Sequence, residues 1–223
     1  MATTGARAGG GLTGGSDPMT TLTAGLALFF GSHVASGLYP VRRALAGAMG
    51  EGAYKGLVTV ASLAGIALMV LGARAMGFVP VYTPPAYGPL VPALLMPAAF
   101  ILMSGAYSDP GMKAVVRHPF LWAIGLFAAS HLVANGELSL LMVFGAFLVY
   151  APLAMLLADA KMRARDPQRF AELAARSSNI PFAAWAKAPQ KPKLRSVIVG
   201  LVLYVVVFWT HALVIGKSAA ISL

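Results

Sequence analysis

Residues 117–136 read RHPFLWAIGLFAASHLVANG, an apolar run with a histidine inside it. Crossing about 30 Å of hydrocarbon takes roughly 20 residues, so the run predicts a membrane helix. Pro119 favours the first helical turn. His131 lies two thirds of the way along, at a depth where hydrocarbon would surround its ring. Ionisable groups in that position are costly, so the stretch predicts a functional site as well as a span.

The composition of the whole chain is typical of a membrane protein. Of its 223 residues, 58% are hydrophobic and 11% are charged, whereas a soluble domain carries about 25% charged residues. The chain contains no cysteine. That absence excludes disulfides, thiolate metal sites, iron–sulfur clusters and haem attached through C-x-x-C-H.

Six apolar stretches predict an all-α, polytopic bundle of about six transmembrane helices. They are residues 20–39, 56–76, 87–107, 119–136, 138–158 and 196–216. Residues 1–18 are rich in glycine and predict a flexible tail before one transmembrane domain, residues 19–223. Within it, residues 161–195 are too short for a second domain. They predict a basic loop with a short surface helix that Asp166 caps and Pro167 begins.

The basic residues predict the orientation of these spans. The chain has 17 Lys and Arg residues and a formal net charge of +10. Three of them, Arg7, Arg74 and Lys217, share a side with both termini, and the remaining fourteen lie in the opposite loops. The positive-inside rule places those fourteen in the cytoplasm and both termini outside a bacterial inner membrane. Charge of this kind meets anionic lipid, so we expect a lipid membrane and no nucleic acid as partner.

The four histidines all lie in or beside a predicted span: His33, His118, His131 and His211. Any single one fits an interhelical hydrogen bond, worth under about 1 kcal/mol. Three deep histidines without an intramembrane carboxylate instead favour a cofactor, since zinc hydrolases need three ligands and usually a carboxylate base. Neutral imidazoles in an apolar bundle suit haem iron, and without C-x-x-C-H the haem is non-covalent haem b.

The depths of the histidines in the membrane are compatible with either of two pairs of axial ligands. At 1.5 Å per residue, His33 lies about 9 Å from the cytoplasmic edge, His131 about 18 Å and His211 about 22 Å. His33 and His131 could reach opposite faces of one tilted haem. His131 and His211 are better matched in depth.

Further candidate residues surround these histidines. Asn135 lies one helical turn from His131, among small and aromatic residues that would admit a flat macrocycle but also suit ordinary helix packing. Arg117 and His118 begin the helix at the interface. There Arg117 would pair with haem propionates or an anionic substrate group, and contact with a loop or headgroup is the plainer interpretation of His118.

The chain resembles the NnrU family of integral membrane proteins over roughly residues 24–216. Four motifs carry the resemblance: GSHVASGLYPVRRAL (31–45), RHPFLWAIGLFAASHLVANG (117–136), RSSNIPFAAW (176–185) and the histidine of FWTHALVIG (208–216). The family includes 15-cis-ζ-carotene isomerase, a haem b protein. The resemblance implies that His33 and His131 are the axial and catalytic ligands. It also implies a membrane isomerase that acts on the cis–trans geometry of an apolar, carotenoid-like polyene from the bilayer.

Two alternatives stay open. The isomerase branch has a cysteine three residues before its second ligand histidine, and here that position is Ala128, which puts that branch's ligand exchange in doubt. Other family members are associated with denitrification. They suggest a haem protein that supports nitrite and nitric oxide metabolism through an electron-donor protein or by sensing. R-H-P with a later I-P-F also faintly resembles membrane methyltransferases that use S-adenosylmethionine, although FLWAIGLFAAS lacks their acidic residues.

Overall fold

The computed structural model describes residues 17–186 and 189–215, and this part of the chain is an all-α membrane protein, as predicted. Within these residues the helices are α1 Pro18–Gly37, α2 Tyr39–Met49, α3 Glu51–Met76, α4 Leu90–Gly105, α5 Pro110–Val115, α6 Pro119–Ala134, α7 Leu138–Arg165, α8 Pro167–Arg176 and α9 Leu194–Ile215. The predicted tail lies outside the described residues up to position 16. Asp17 then caps α1 by accepting a hydrogen bond from Thr20 N at 2.9 Å.

Helices occur at each of the six predicted stretches, but their lengths differ. By length and composition α3, α7 and α9 can each cross a membrane, and α1 with α2 passes the same test as a pair bent by 94°. The apolar helices α4 and α6 have 16 residues each, which rise only about 24 Å. The structure therefore supports three to four spans of full length and two shorter apolar helices.

The bend after α1 produces a helix that the sequence did not predict. Leu38 is extended, and Pro40 begins the new helix α2. Along α2, Val41, Leu45 and Met49 follow one another at four-residue spacing, and each is 37–40% exposed. A helix with an apolar stripe that lies perpendicular to a span is typical of the membrane surface.

Glycines bring α1 and α3 into backbone contact. A Cβ atom at Gly72 would lie 2.4 Å from Leu22 N, and one at Gly25 would lie 2.6 Å from Met69 N. Small residues that allow close approach are a usual device for packing helices in membranes. From this pair the helices continue as a row, with neighbours in the order α3, α1, α7, α6, α4 and α9. Helix α7 thus lies between α1 and α6, which carry His33 and His131.

Hydrogen bonds join the helix ends at one end of the bundle, which we call the basic end. Lys161 of α7 donates to the carbonyl of Ser36 in α1 at 3.4 Å, and Ser104 of α4 donates to the carbonyl of Ser196 in α9 at 2.6 Å. This end gathers the basic loops, whereas Arg74 ends α3 at the other end. Of the three basic residues predicted on the opposite side, Arg74 lies at that other end, and Arg7 and Lys217 lie outside the described residues.

Asp109 helps to hold the basic end together. Its side chain is buried and accepts hydrogen bonds from Gly111 N at 2.9 Å and Lys193 N at 2.7 Å. Burial raises the pKa of Asp109. The bonds from Lys193, Ser196 and Gly111, with the Lys193 charge, outweigh that effect and lower the pKa below its ordinary value. The carboxylate is therefore ionised at neutral pH and fixes the start of α5 to the segment before α9.

Candidate functional site

The two predicted ligand histidines end the same short motif, F-x-x-S-H, at residues 29–33 in α1 and 127–131 in α6. His33 Nδ1 lies 2.8 Å from the carbonyl oxygen of Phe29, and His131 Nδ1 lies 2.9 Å from that of Phe127. A carbonyl can only accept a hydrogen bond, so we assign the proton to Nδ1 in both rings. In each ring Nε2 keeps its lone pair. Anchoring one ring nitrogen in this way is how proteins orient histidines that bind metals.

The serine of each motif stands beside the anchored ring. Ser32 donates to the carbonyl of Phe29 at 2.8 Å, and Ser130 donates to that of Phe127 at 2.9 Å. In α6 the Ser130 hydroxyl also lies 3.2 Å from His131 Nδ1. Each carbonyl thus receives a serine and a histidine together. The sequence analysis did not select Ser32 and Ser130, although the five-residue F-x-x-S-H motif occurs twice in the sequence.

Helix α7 joins the two motifs through three aromatic side chains at three-residue spacing, Phe144, Phe147 and Tyr150, which together we call the aromatic face. The ring of Phe144 lies 4.8 Å from that of His131, and the ring of Tyr150 lies 6.0 Å from that of His33. Between them, Phe147 contacts the ring of Phe30 at 4.9 Å. Phe144 and Tyr150 are separated by about 9 Å along the helix, so α7 contacts the two histidine rings at different heights.

The chemistry of these donors fits haem better than a bare metal ion. Among the described residues no group of three or more His, Cys, Asp or Glu could hold a metal ion, as a zinc site would require. Haem supplies four of its own ligands and asks the protein for one or two more. His33 and His131 each hold Nδ1 on a backbone carbonyl, and Nε2 is the atom of each ring that would bind haem iron.

His211 and Asn135 are the two further candidates whose interactions involve His131. His211 is on α9, which packs against α4, and it interacts electrostatically with His131. Both predicted pairs of ligands therefore stay open by position, and the F-x-x-S-H motif, which His211 lacks, favours His33. Asn135 follows α6 and donates to the backbone carbonyl of His131 at 2.8 Å. Asn135 therefore hydrogen-bonds to the main chain of His131 and not to its imidazole ring.

Arg117 and His118 meet at a carboxylate that the sequence analysis did not select. Arg117 Nη1 lies 2.6 Å from Asp159 Oδ2, and His118 Nε2 lies 2.8 Å from Asp159 Oδ1. Asn179 donates to the same carboxylate at 2.8 Å, and Arg117 donates to the carbonyl of Ser177 at 3.0 Å. The side chains of Arg117 and Asp159 are only 12% and 10% exposed. This Asp159 cluster joins the start of α6 to α7 and to the segment after α8.

The comparisons agree with the motifs that the sequence contains. The family model described as NnrU protein matches residues 21–219. No curated protein and no solved structure matches the chain. The matched range includes both F-x-x-S-H motifs, the Asp159 cluster and His211, and it covers most of the chain. The chain therefore belongs to the NnrU family.

Proposed function

We propose that this protein binds haem b between His33 and His131. The observation that supports the proposal is the paired F-x-x-S-H motif, in which a backbone carbonyl holds each Nδ1 and leaves each Nε2 free. The aromatic face of α7 contacts both rings and offers flat apolar surfaces on which a macrocycle can pack. The role of the chain is then to hold the macrocycle, orient its two ligands and keep water away.

We propose further that the protein isomerises a double bond in an apolar polyene. When bound, haem iron supplies a centre that can engage such a double bond and weaken its π-character. The rings around His33 and His131 belong to Phe and Tyr side chains, which suit a hydrocarbon better than a polar substrate. Neighbouring residues such as Leu148 and Val149 are 38% and 70% exposed, so α7 presents an apolar surface along which a polyene can enter from the bilayer.

One observation favours a second function. The two histidines are anchored alike, so both would hold haem iron through Nε2 and neither ring is distinguished as the one that would give way to a substrate. That arrangement suits a haem that transfers electrons from a donor protein or senses nitric oxide in support of denitrification. For either function, we propose that the protein lies in the bacterial inner membrane with its basic end in the cytoplasm.

A polyene assay separates the two functions. The full chain is loaded with haem, reconstituted in vesicles and incubated with 15-cis-ζ-carotene, and the isomers are separated by chromatography. Free haem in the same vesicles is the control. Conversion above that control supports the isomerase. A chain that retains its haem and produces no conversion contradicts the isomerase and favours the electron carrier.

A further inference from the structure

A groove of about 610 Å³ opens at the basic end of the bundle, apart from the F-x-x-S-H histidines. Its polar lining comes from α2, from the end of α7, from α8 and from His118 at the start of α6, and it includes Tyr39, Arg42, Lys161, Arg165, Asp166 and Arg169. The groove thus places four basic side chains around one space with a single acidic side chain. Nothing in the proposed haem chemistry uses it.

The acidic groups nearby are already engaged. Asp166 accepts a hydrogen bond from Arg169 N at 3.0 Å and so caps α8. Asp159 is held by Arg117, His118 and Asn179. Asp166 keeps its negative charge, but it is the one carboxylate that lines the groove against four Lys and Arg side chains, and Asp159 is already paired with Arg117.

The basic side chains are correspondingly short of partners. Arg42 pairs with Glu51 at 2.5 Å. In the part of the chain that the structure describes, Lys161, Arg165 and Arg169 take part in no ion pair. Lys161 is also half-buried and subject to the positive charges of Arg42 and Arg165. Like charges gathered in a groove raise the local concentration of an anion and favour its binding.

The depth of the groove indicates the source of that anion. One wall is α2, which lies at 94° to α1 and carries the apolar stripe Val41, Leu45 and Met49. A surface helix of this kind lies at the boundary between headgroups and acyl chains. Tyr39 and Arg42 of α2 therefore meet the headgroup layer.

We propose that the groove binds the phosphate of an anionic phospholipid headgroup. Arg165 and Arg169 can each present paired N–H donors to phosphate oxygens, and Lys161 adds a compact positive charge. Tyr39 offers a hydroxyl donor on the opposite wall. The proposal does not depend on iron, so it stands or fails separately from the proposed function.

Lipid binding by paired charge variants tests this proposal. Native mass spectrometry of the full chain in detergent measures the Kd for phosphatidylglycerol and for phosphatidylcholine. R165Q/R169Q removes two charges from the groove, and R43Q/R176Q removes two exposed charges that do not line it. We expect the first pair to weaken phosphatidylglycerol binding about 30-fold, or about 2 kcal/mol, in line with roughly 1 kcal/mol per basic residue. The second pair should change it less than about threefold, because long-range attraction is screened.

Further measurements complete the test. R165K/R169K preserves the charge and should retain most of the affinity, which separates charge from folding. Equal losses in the two Gln pairs would overturn the groove as a site. Glycerol 3-phosphate that competes at the same concentration as phosphatidylglycerol would overturn the lipid as the source, and competition only at far higher concentration supports it. Loss of haem from R165Q/R169Q with unchanged lipid binding would assign the groove to propionates and overturn the proposal.

Discussion

At the scale of single residues, the contacts of a side chain matter more than its type. The sequence contains four histidines near the membrane, and it marks each as a candidate. It does not show that a carbonyl fixes Nδ1 in His33 and His131, or that His118 is bound to Asp159. Asp159 could not be selected because its partners lie about forty positions away in the chain.

The assignment of the axial ligands is tested by replacing histidines one at a time. His131→Ala should remove most of the bound haem, since haem that is not covalently attached depends on its axial ligands. His211→Ala, on α9, is the matched control and should retain it. The haem content per chain is measured as the pyridine haemochrome. Haem that is lost from the His211 variant and kept by a His33 variant would select the competing pair.

The Asp159 cluster predicts a large effect on stability. Asp159→Asn leaves the guanidinium of Arg117, 12% exposed, without its charged partner, and breaking a buried pair costs about 3–5 kcal/mol. Asp166→Asn is the control, because Asp166 is exposed and Asn caps helices as well as Asp does. Thermal unfolding in detergent should show a clear loss for the first variant and almost none for the second. Equal melting temperatures would contradict a structural role for the cluster.

At the scale of helices, the hydrophobic pattern predicted where helices lie and misjudged some ends. Ala106 and Tyr107 continue the apolar run past the end of α4, and the span predicted for α6 included Asn135 and Gly136, which follow that helix, so both predicted spans were longer than the helices are. Helix α2 was not predicted, because it begins at Tyr39, where the predicted span 20–39 ends, and continues through Arg42 and Arg43. Hydropathy does not predict the direction of a helix axis. Here the axis changes direction at Leu38, which is extended, and Pro40, which begins α2.

The packing of α1 against α3 makes a prediction about glycine. Gly72→Ala would place its Cβ atom 2.4 Å from Leu22 N, so the helices must separate, at a cost of about 1–3 kcal/mol. Gly56→Ala lies on the same helix with no atom within 4 Å, and it should stabilise α3 by up to about 1 kcal/mol. Unfolding in detergent compares the two variants. A Gly72 variant as stable as the Gly56 variant would show that the helices do not touch there.

At the scale of the whole molecule, the sequence predicted the NnrU family and the all-α membrane class. It did not predict how the helices arrange the site, and the fold explains why. The family motifs lie on α1 and α2, on α6, in the segment that follows α8 and, through His211, on α9. The row of helices is what places α7 between the two histidines. Contacts between helices that are distant in the chain depend on close packing at positions such as Gly25 and Gly72. The sequence contains these glycines but does not show which helix each one packs against.

The orientation of the bundle is also testable on this scale. The chain lacks cysteine, so single cysteines can report each end. Ser108→Cys lies at the basic end and Thr83→Cys at the opposite end, and both positions are exposed. In intact bacterial spheroplasts, a maleimide that cannot cross membranes should label Thr83→Cys and leave Ser108→Cys unlabelled until lysis. The reverse pattern would place the basic end outside.

The absorption spectrum of the purified full chain, expressed with haem supplied, tests the central claim most directly. The spectrum is recorded oxidised and then reduced with dithionite. Two anchored imidazoles predict a sharp Soret band, with resolved α and β bands on reduction, that is lost together with haem in the His131→Ala variant. A folded chain that takes up no haem under these conditions would contradict the account, and the paired F-x-x-S-H motifs would then need another ligand.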